Sequence, residues 1–271
     1  MKALQLLIIS TLLLASIQTA TAALDFPAVQ AEKLNGAING PQRSEKNRAR
    51  DPFRHPLETL TFFDVQDDMT VVEIWPGSGW YTEILAPFLK EKGRFYAAGF
   101  DPQSTVPYFK KNAALFEKKV NGAPESYGKV EITILQPPEK LEIAPSESVD
   151  RILTFRNVHN WTQAGAATEV FKAMYKALKP GGILGVVEHR GSSSSTNDSG
   201  YVPEQTVIEL AGKAGFQLIA QSELNANPKD SKNHPKGVWT LPPTLRMKEV
   251  NRDRYLAIGE SDRMTLKFLK P

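Results

Sequence analysis

The sequence predicts an α/β fold, a mostly parallel sheet covered by helices on both faces, and three observations carry that reading. Short apolar runs rich in Val, Ile and Leu alternate along most of the chain with segments whose apolar residues recur at helical spacing. A glycine turn, Trp75-Pro76-Gly77-Ser78-Gly79, joins the first such run to the first such segment. The apolar runs end in polar and charged residues of the kind that bind ligands. Strands alternating with helices pair in parallel through right-handed crossovers, and the helices then cover both faces.

The chain opens with Lys2, an apolar run from Ala3 to Leu14 and a short polar stretch ending at Ala20-Thr21-Ala22. This is the pattern of a secretory signal cut after Ala22. The run is shorter than the ~20 apolar residues that a membrane span needs, so no stable membrane insertion is expected after cleavage. The domain reading is a signal at 1–22, a helical extension at 23–56 and a larger domain at 57–271. In the extension, Arg54 and His55 precede Pro56, which suits the first turn of a helix.

The first strand opens at Val71 and ends at Glu73, and Tyr81, Ile84, Leu85, Phe88 and Leu89 then mark a helix that Pro87 shortens or bends. A second strand, Arg94 to Phe100, ends at Asp101-Pro102 and precedes a helix carrying Val106, Phe109, Ala113 and Phe116. Strands follow at 130–135, 149–155 and 183–188, the last two separated by the helix of Val170, Phe171, Met174 and Leu178. Gly191 to Gly200 reads as a Ser-rich loop, and Pro203 starts a further helix. A strand from Phe216, a loop-like stretch from Asn225 to Pro243 and a last strand with Met264, Leu266 and Phe268 alternating complete the chain.

Composition narrows the function. The 271 residues, 41% of them hydrophobic, suffice for one large core. Formal charge is +3, and removing residues 1–22 takes one Lys and no acid, leaving +2. That is near neutral, and basic residues form no stripe that would track phosphates, so no nucleic-acid partner is expected. With no cysteine there is no disulfide framework and no thiolate metal site. His55, His159, His189 and Glu188 are spaced too widely to form a ligand motif, and no metal is expected.

Parallel sheets bind ligands beyond the carboxyl ends of their strands. Those ends here carry Glu73 with Gly77 and Gly79, then Asp101, then Arg156-Asn157-Val158-His159-Asn160-Trp161, then Glu188-His189-Arg190. Asp101 lies 22 residues past Gly79, close to the ~20-residue interval at which such folds place a carboxylate for ribose hydroxyls.

In this order the parts resemble the class I S-adenosylmethionine-dependent methyltransferases over roughly residues 57–270. The chain offers Glu73 with Gly77-Ser78-Gly79, Asp101, Ser148-Val149-Asp150, Leu178-Lys179-Pro180-Gly181-Gly182 and the strands from Phe216 and Met264. It is similar in particular to an exported, methyltransferase-like subgroup with a Trp-Pro-Gly turn. The resemblance implies a Rossmann-like, seven-stranded sheet with an antiparallel last strand. It also implies that Glu73, Gly77 and Gly79 line the methionine side of S-adenosylmethionine, that Asp101 takes the ribose, and that Arg156 and Asn157 lie under the methyl donor. Trp75 stands where the family has glycine, and the indole either stacks on the cofactor or fills its place.

The implied reaction is in-line transfer of the sulfonium methyl to a small-molecule acceptor, helped by alignment worth about 7–11 kcal/mol. His159 is the candidate base, since neutral imidazole suits proton transfer near pH 7; otherwise it is a structural histidine. Glu188, His189 and Arg190 are candidates for orienting a polar or anionic acceptor. His55, Tyr81 and Trp161 are candidate substrate contacts, with Trp80 and Trp239 as further aromatic walls. The competing reading is an exported ligand-binding protein on the same fold without methyl transfer.

Overall fold

A computed structural model describes residues 26–271. The expected signal and its cut after Ala22 lie outside the described residues.

Four helices come first: α1 (Ala28–Asn39), α2 (Glu45–Arg48), α3 (Asp51–Arg54) and α4 (Pro56–Phe62). The alternating body follows as β1 (Thr70–Ile74), α5 (Thr82–Leu89), β2 (Arg94–Gly99), α6 (Pro107–Asn121), α7 (Pro124–Tyr127) and β3 (Val130–Ile134). It continues with β4 (Val149–Phe155), α8 (Val158–Gln163), α9 (Ala167–Ala177), β5 (Leu178–Gly191), β6 (Val202–Pro203) and α10 (Glu204–Ala214). The chain closes with β7 (Gln217–Ser222), α11 (Arg252–Ile258) and β8 (Arg263–Leu269).

Seven strands lie in the order β3-β2-β1-β4-β5-β8-β7, and the two-residue β6 pairs with β5 as an eighth. The expected seven-strand sheet thus gains one short member. β1 pairs in parallel with both β2 and β4, whereas β8 runs antiparallel to β5 and β7. The chain reverses its direction of spread between β1 and β4, and such a switch opens a crevice at the strand ends.

Strand alternation divides the core in two. Val72 and Ile74 face a cluster that holds Phe171, Met174, Val207 and Phe268, while Val71 faces another with Ile84, Leu85, Phe88 and Leu153. Period-two burial of this kind makes each strand serve both faces. Leu34, Ala37 and Ile38 of α1 are buried in the second cluster, so the helical extension packs on α5. Pro87 sits in the last turn of α5, which stops at Leu89. α11 has no counterpart in the sequence reading, because it carries a single buried residue, Tyr255. No helix among the described residues is long and apolar enough to cross a membrane.

Candidate active site

A cavity of about 510 Å³ opens beyond the carboxyl ends of β1, β4 and β5. Trp75, Gly77, Arg156, Asn157, His159 and His189 all line it, and so do Tyr108, Phe109 and the segment Val238 to Arg246. A smaller cavity of about 230 Å³ adjoins it, sharing Gly77 and Phe100.

Two strand ends are strained. Trp75 has φ 44° and Arg156 φ 62°, left-handed conformations that cost residues with a Cβ about 1–3 kcal/mol. Each is held by several contacts. The Trp75 N–H donates to the carbonyl of Ala98 at 2.8 Å, and the Arg156 N–H to that of Val187 at 2.7 Å. The indole Nε1 of Trp75 donates to the carbonyl of Leu135 at 2.9 Å. Its ring lies 4.7 Å from Phe100 and 5.6 Å from Phe109 and Trp161. Asn157 ties the two ends together, donating from Nδ2 to the carbonyl of Ile74 at 2.9 Å.

The two turn glycines have different tasks. A Cβ on Gly77 would meet nothing within 4 Å, so the ground before it is open, whereas one on Gly79 would press on Phe116 and Lys119 at 3.3 Å. Gly77 therefore serves the cavity and Gly79 the packing of α6.

His159 and His189 face the same cavity with ring centroids 5.4 Å apart. His159 Nδ1 lies 3.1 Å from Glu188 Oε1, and His189 Nδ1 bonds the Ser261 hydroxyl. With a carboxylate on Nδ1 the proton sits there, which leaves Nε2 of His159 as an acceptor. Glu188 is fully buried; its Oε1 also accepts from the His189 backbone N–H and its Oε2 from that of Val158. Burial, reinforced by His159 and Arg156, holds the His189 imidazole well below its ordinary value, so it stays neutral.

Ligating atoms of His159, Glu188 and His189 converge within 4.8 Å. Two of the three histidines considered in the sequence thus meet, and His55 does not join them. Both Glu188 oxygens are already committed, and Arg156, Arg54 and Arg263 surround the pair. That positive charge opposes a bound cation.

Several expected site residues lie elsewhere. Glu73 faces α5, where its Oε2 accepts from Thr82 Oγ1 at 2.6 Å, and burial raises its carboxyl to about 7. Asp101 accepts from Lys140 Nζ at 2.6 Å and from the Gln103 N–H at 2.9 Å, bonds that lower its pKa, with the lysine foremost. Tyr81 is stacked 3.5 Å behind Phe155, and Trp161 is 1% exposed in the core. Arg190 does not reach this cavity, because Glu223 holds its fork at 2.7 and 2.6 Å and Asp262 at 3.0 Å. His55 lines a separate cavity with Asn225, Ser261 and Arg263. Loop 191–200 borders another cavity and leaves this one to the 237–246 segment. Of the two further aromatic walls expected, Trp239 lines this cavity and Trp80 does not, while Tyr108 and Arg246 are additions that no sequence signal marks.

The open ground at Gly77 tests the cofactor that the resemblance implies. Gly77 and Asn157 leave room for a nucleoside-type group, with the Trp75 ring as a wall to stack on. Asp101 becomes available if Lys140 lets go, and Lys140 is 45% exposed, so that ion pair holds by only about 0–1 kcal/mol. On these grounds the residues fit S-adenosylmethionine.

No family model matches the chain, and no curated protein matches it either. Among solved structures it is similar to a SAM-dependent methyltransferase from Aquifex aeolicus, with 16% identity and a TM-score of 0.56 over 89% of this chain and 98% of that one. It is also similar to the cyclase SpnF, with 15% identity and a TM-score of 0.51 over 89% of this chain and 93% of the other. The chain has the mixed α/β, Rossmann-like methyltransferase fold.

Proposed function

We propose that this chain is an S-adenosylmethionine-dependent methyltransferase whose small-molecule acceptor binds in the cavity between the ends of β1, β4 and β5. The observation that carries the reading is the open turn at Gly77, which faces that cavity at the switch point of the sheet. Gly77, Asn157 and the Trp75 ring would hold the cofactor, and Asp101 its ribose once Lys140 is displaced. When bound, the cofactor supplies an electrophilic methyl group.

The chain's own residues do the rest. Tyr108, Phe109 and Trp239 wall the cavity. His159 takes the acceptor proton on Nε2, and Glu188 holds the ring in the tautomer that permits this. His189, kept neutral by burial, offers its second ring nitrogen to the acceptor as a polar contact. Export rests on Lys2, the apolar run and Ala20-Thr21-Ala22.

A second reading has one observation in its favour. The Trp75 indole is anchored by its own hydrogen bond and by three aromatic neighbours, as expected of a side chain that has replaced a ligand. On that reading the protein binds small molecules without transferring methyl groups, and fold alone does not decide between them. Calorimetry with S-adenosylmethionine and S-adenosylhomocysteine separates the two. Micromolar binding is the expected result; folded protein that binds neither would give the second reading the lead.

A further inference from the structure

The charges behind this cavity wall do not balance. Arg156 lies in the field of Arg50, Arg54 and Arg263, and one carboxylate, Glu260, serves the other three. It is 2.6 Å from Arg50, 3.0 Å from Arg263 and 3.7 Å from Arg54. Glu188 is the other acid that acts on Arg156, and its oxygens are taken by His159, His189 and Val158. Arg156 is left over. Its Nε is buried without a hydrogen-bond partner among the described residues, as are Nε and one terminal nitrogen of Arg54.

The cavity wall repeats this bias. Arg156 and Arg246 both line it, and among the described residues no Asp or Glu does. Arg246 lies across the Trp239 ring, 4.8 Å from its centroid. Burial, and then Arg50, pushes the Arg156 guanidinium down to about 10, where it still carries its charge at neutral pH. A half-buried guanidinium whose Nε lacks a hydrogen-bond partner, facing a cavity, is a preformed partner for a planar oxyanion, which it can engage through two parallel bonds. Beside it, Phe109, Tyr108 and Trp239 offer aromatic faces to a flat apolar body.

We propose that the ligand of this cavity is an oxyanion on a planar apolar body, of the aromatic carboxylate class, with Arg156 gripping the anion and the aromatic walls holding the ring. Under the methyl-transfer reading, on which the word acceptor rests, this fixes the acceptor's class. It also moves the anion-binding role from Arg190, which Glu223 and Asp262 already occupy, to Arg156.

Benzoate, benzamide and benzylammonium, titrated into the full chain by calorimetry without S-adenosylmethionine, test this. Benzoate should bind at least about tenfold more tightly than benzamide, the difference that one charge-assisted bond makes, and benzylammonium should not bind. Arg156→Gln should abolish the preference, Arg156→Lys should keep part of it, and the surface control Lys110→Gln should leave it intact. Circular dichroism establishes that each variant is folded; should the Gln variant not fold, the weakened preference of the Lys variant decides. Equal affinities for benzoate and benzamide, no benzoate binding at millimolar concentration, or an undiminished preference in the Arg156 variants would each overturn the proposal. S-adenosylmethionine binding is measured separately: its absence beside a benzoate preference would remove the methyl donor and leave the anion site standing.

Discussion

At the scale of single residues, burial sets the chemistry more than position does. Glu73 ends β1 where a cofactor carboxylate is expected, yet it is 2% exposed and turned onto α5. Its rise from 4.5 to about 7 corresponds to roughly 3 kcal/mol. The raised carboxyl favours the folded state most below pH 4.5, and that contribution is lost as pH rises through 7. Glu73→Gln is therefore expected to stabilise the protein at pH 8 by up to about 3 kcal/mol, read from urea midpoints. His189 acts in the opposite sense. Its depressed value means that the unfolded chain takes up a proton first, so stability falls as pH drops below 6.5. The urea midpoint difference between wild type and His189→Asn should change across that range, and a constant difference would refute the buried neutral imidazole. If His159 is the base, His159→Ala should cut kcat by roughly a hundredfold or more with little change in KM. Equal turnover would make it structural.

Among the elements, the β1–α5 turn and the 237–246 segment make the site. Trp75→Gly removes a buried indole, a change that ordinarily costs about 3–5 kcal/mol. It also relieves a left-handed tryptophan, so the loss in chemical denaturation should fall about 1–3 kcal/mol short of that. If the full cost appears, the turn stores no strain. The 237–246 segment contributes Val238, Trp239, Pro242 and Arg246 to the cavity from between β7 and β8. Trp239→Ala should weaken benzoate binding several-fold, since an aromatic pair is worth about 0.5–1.5 kcal/mol beyond the area it buries.

For the molecule as a whole, the N-terminal helices complete the second core cluster. Leu34, Leu60, Phe63 and Val65 are fully buried there beside Ile84 and Leu85. Arg43 and Ser44 both reach the buried Glu83 of α5. A chain lacking residues 26–55 is expected to lose its cooperative urea transition; a two-state transition with unchanged midpoint would show that the extension is dispensable.

By itself the sequence determined the alternation, and with it the fold. Apolar runs of strand length between helical periodicities leave few arrangements, and Val149–Phe155 was legible to the residue because both its faces are buried. The strand-end rule likewise brought Gly77, Arg156, Asn157, His159 and His189 to one cavity. Only the tertiary structure decided which way each side chain turns and what meets it there. Glu73 and Trp75 are two residues apart on one strand end, but one faces α5 and the other the cavity wall. Arg156 and Arg190 both end strands, yet Asp262 and Glu223, far along the chain, occupy one and leave the other free of an ion pair among the described residues. Counter-ions come from distant segments, and local spacing carries no record of them.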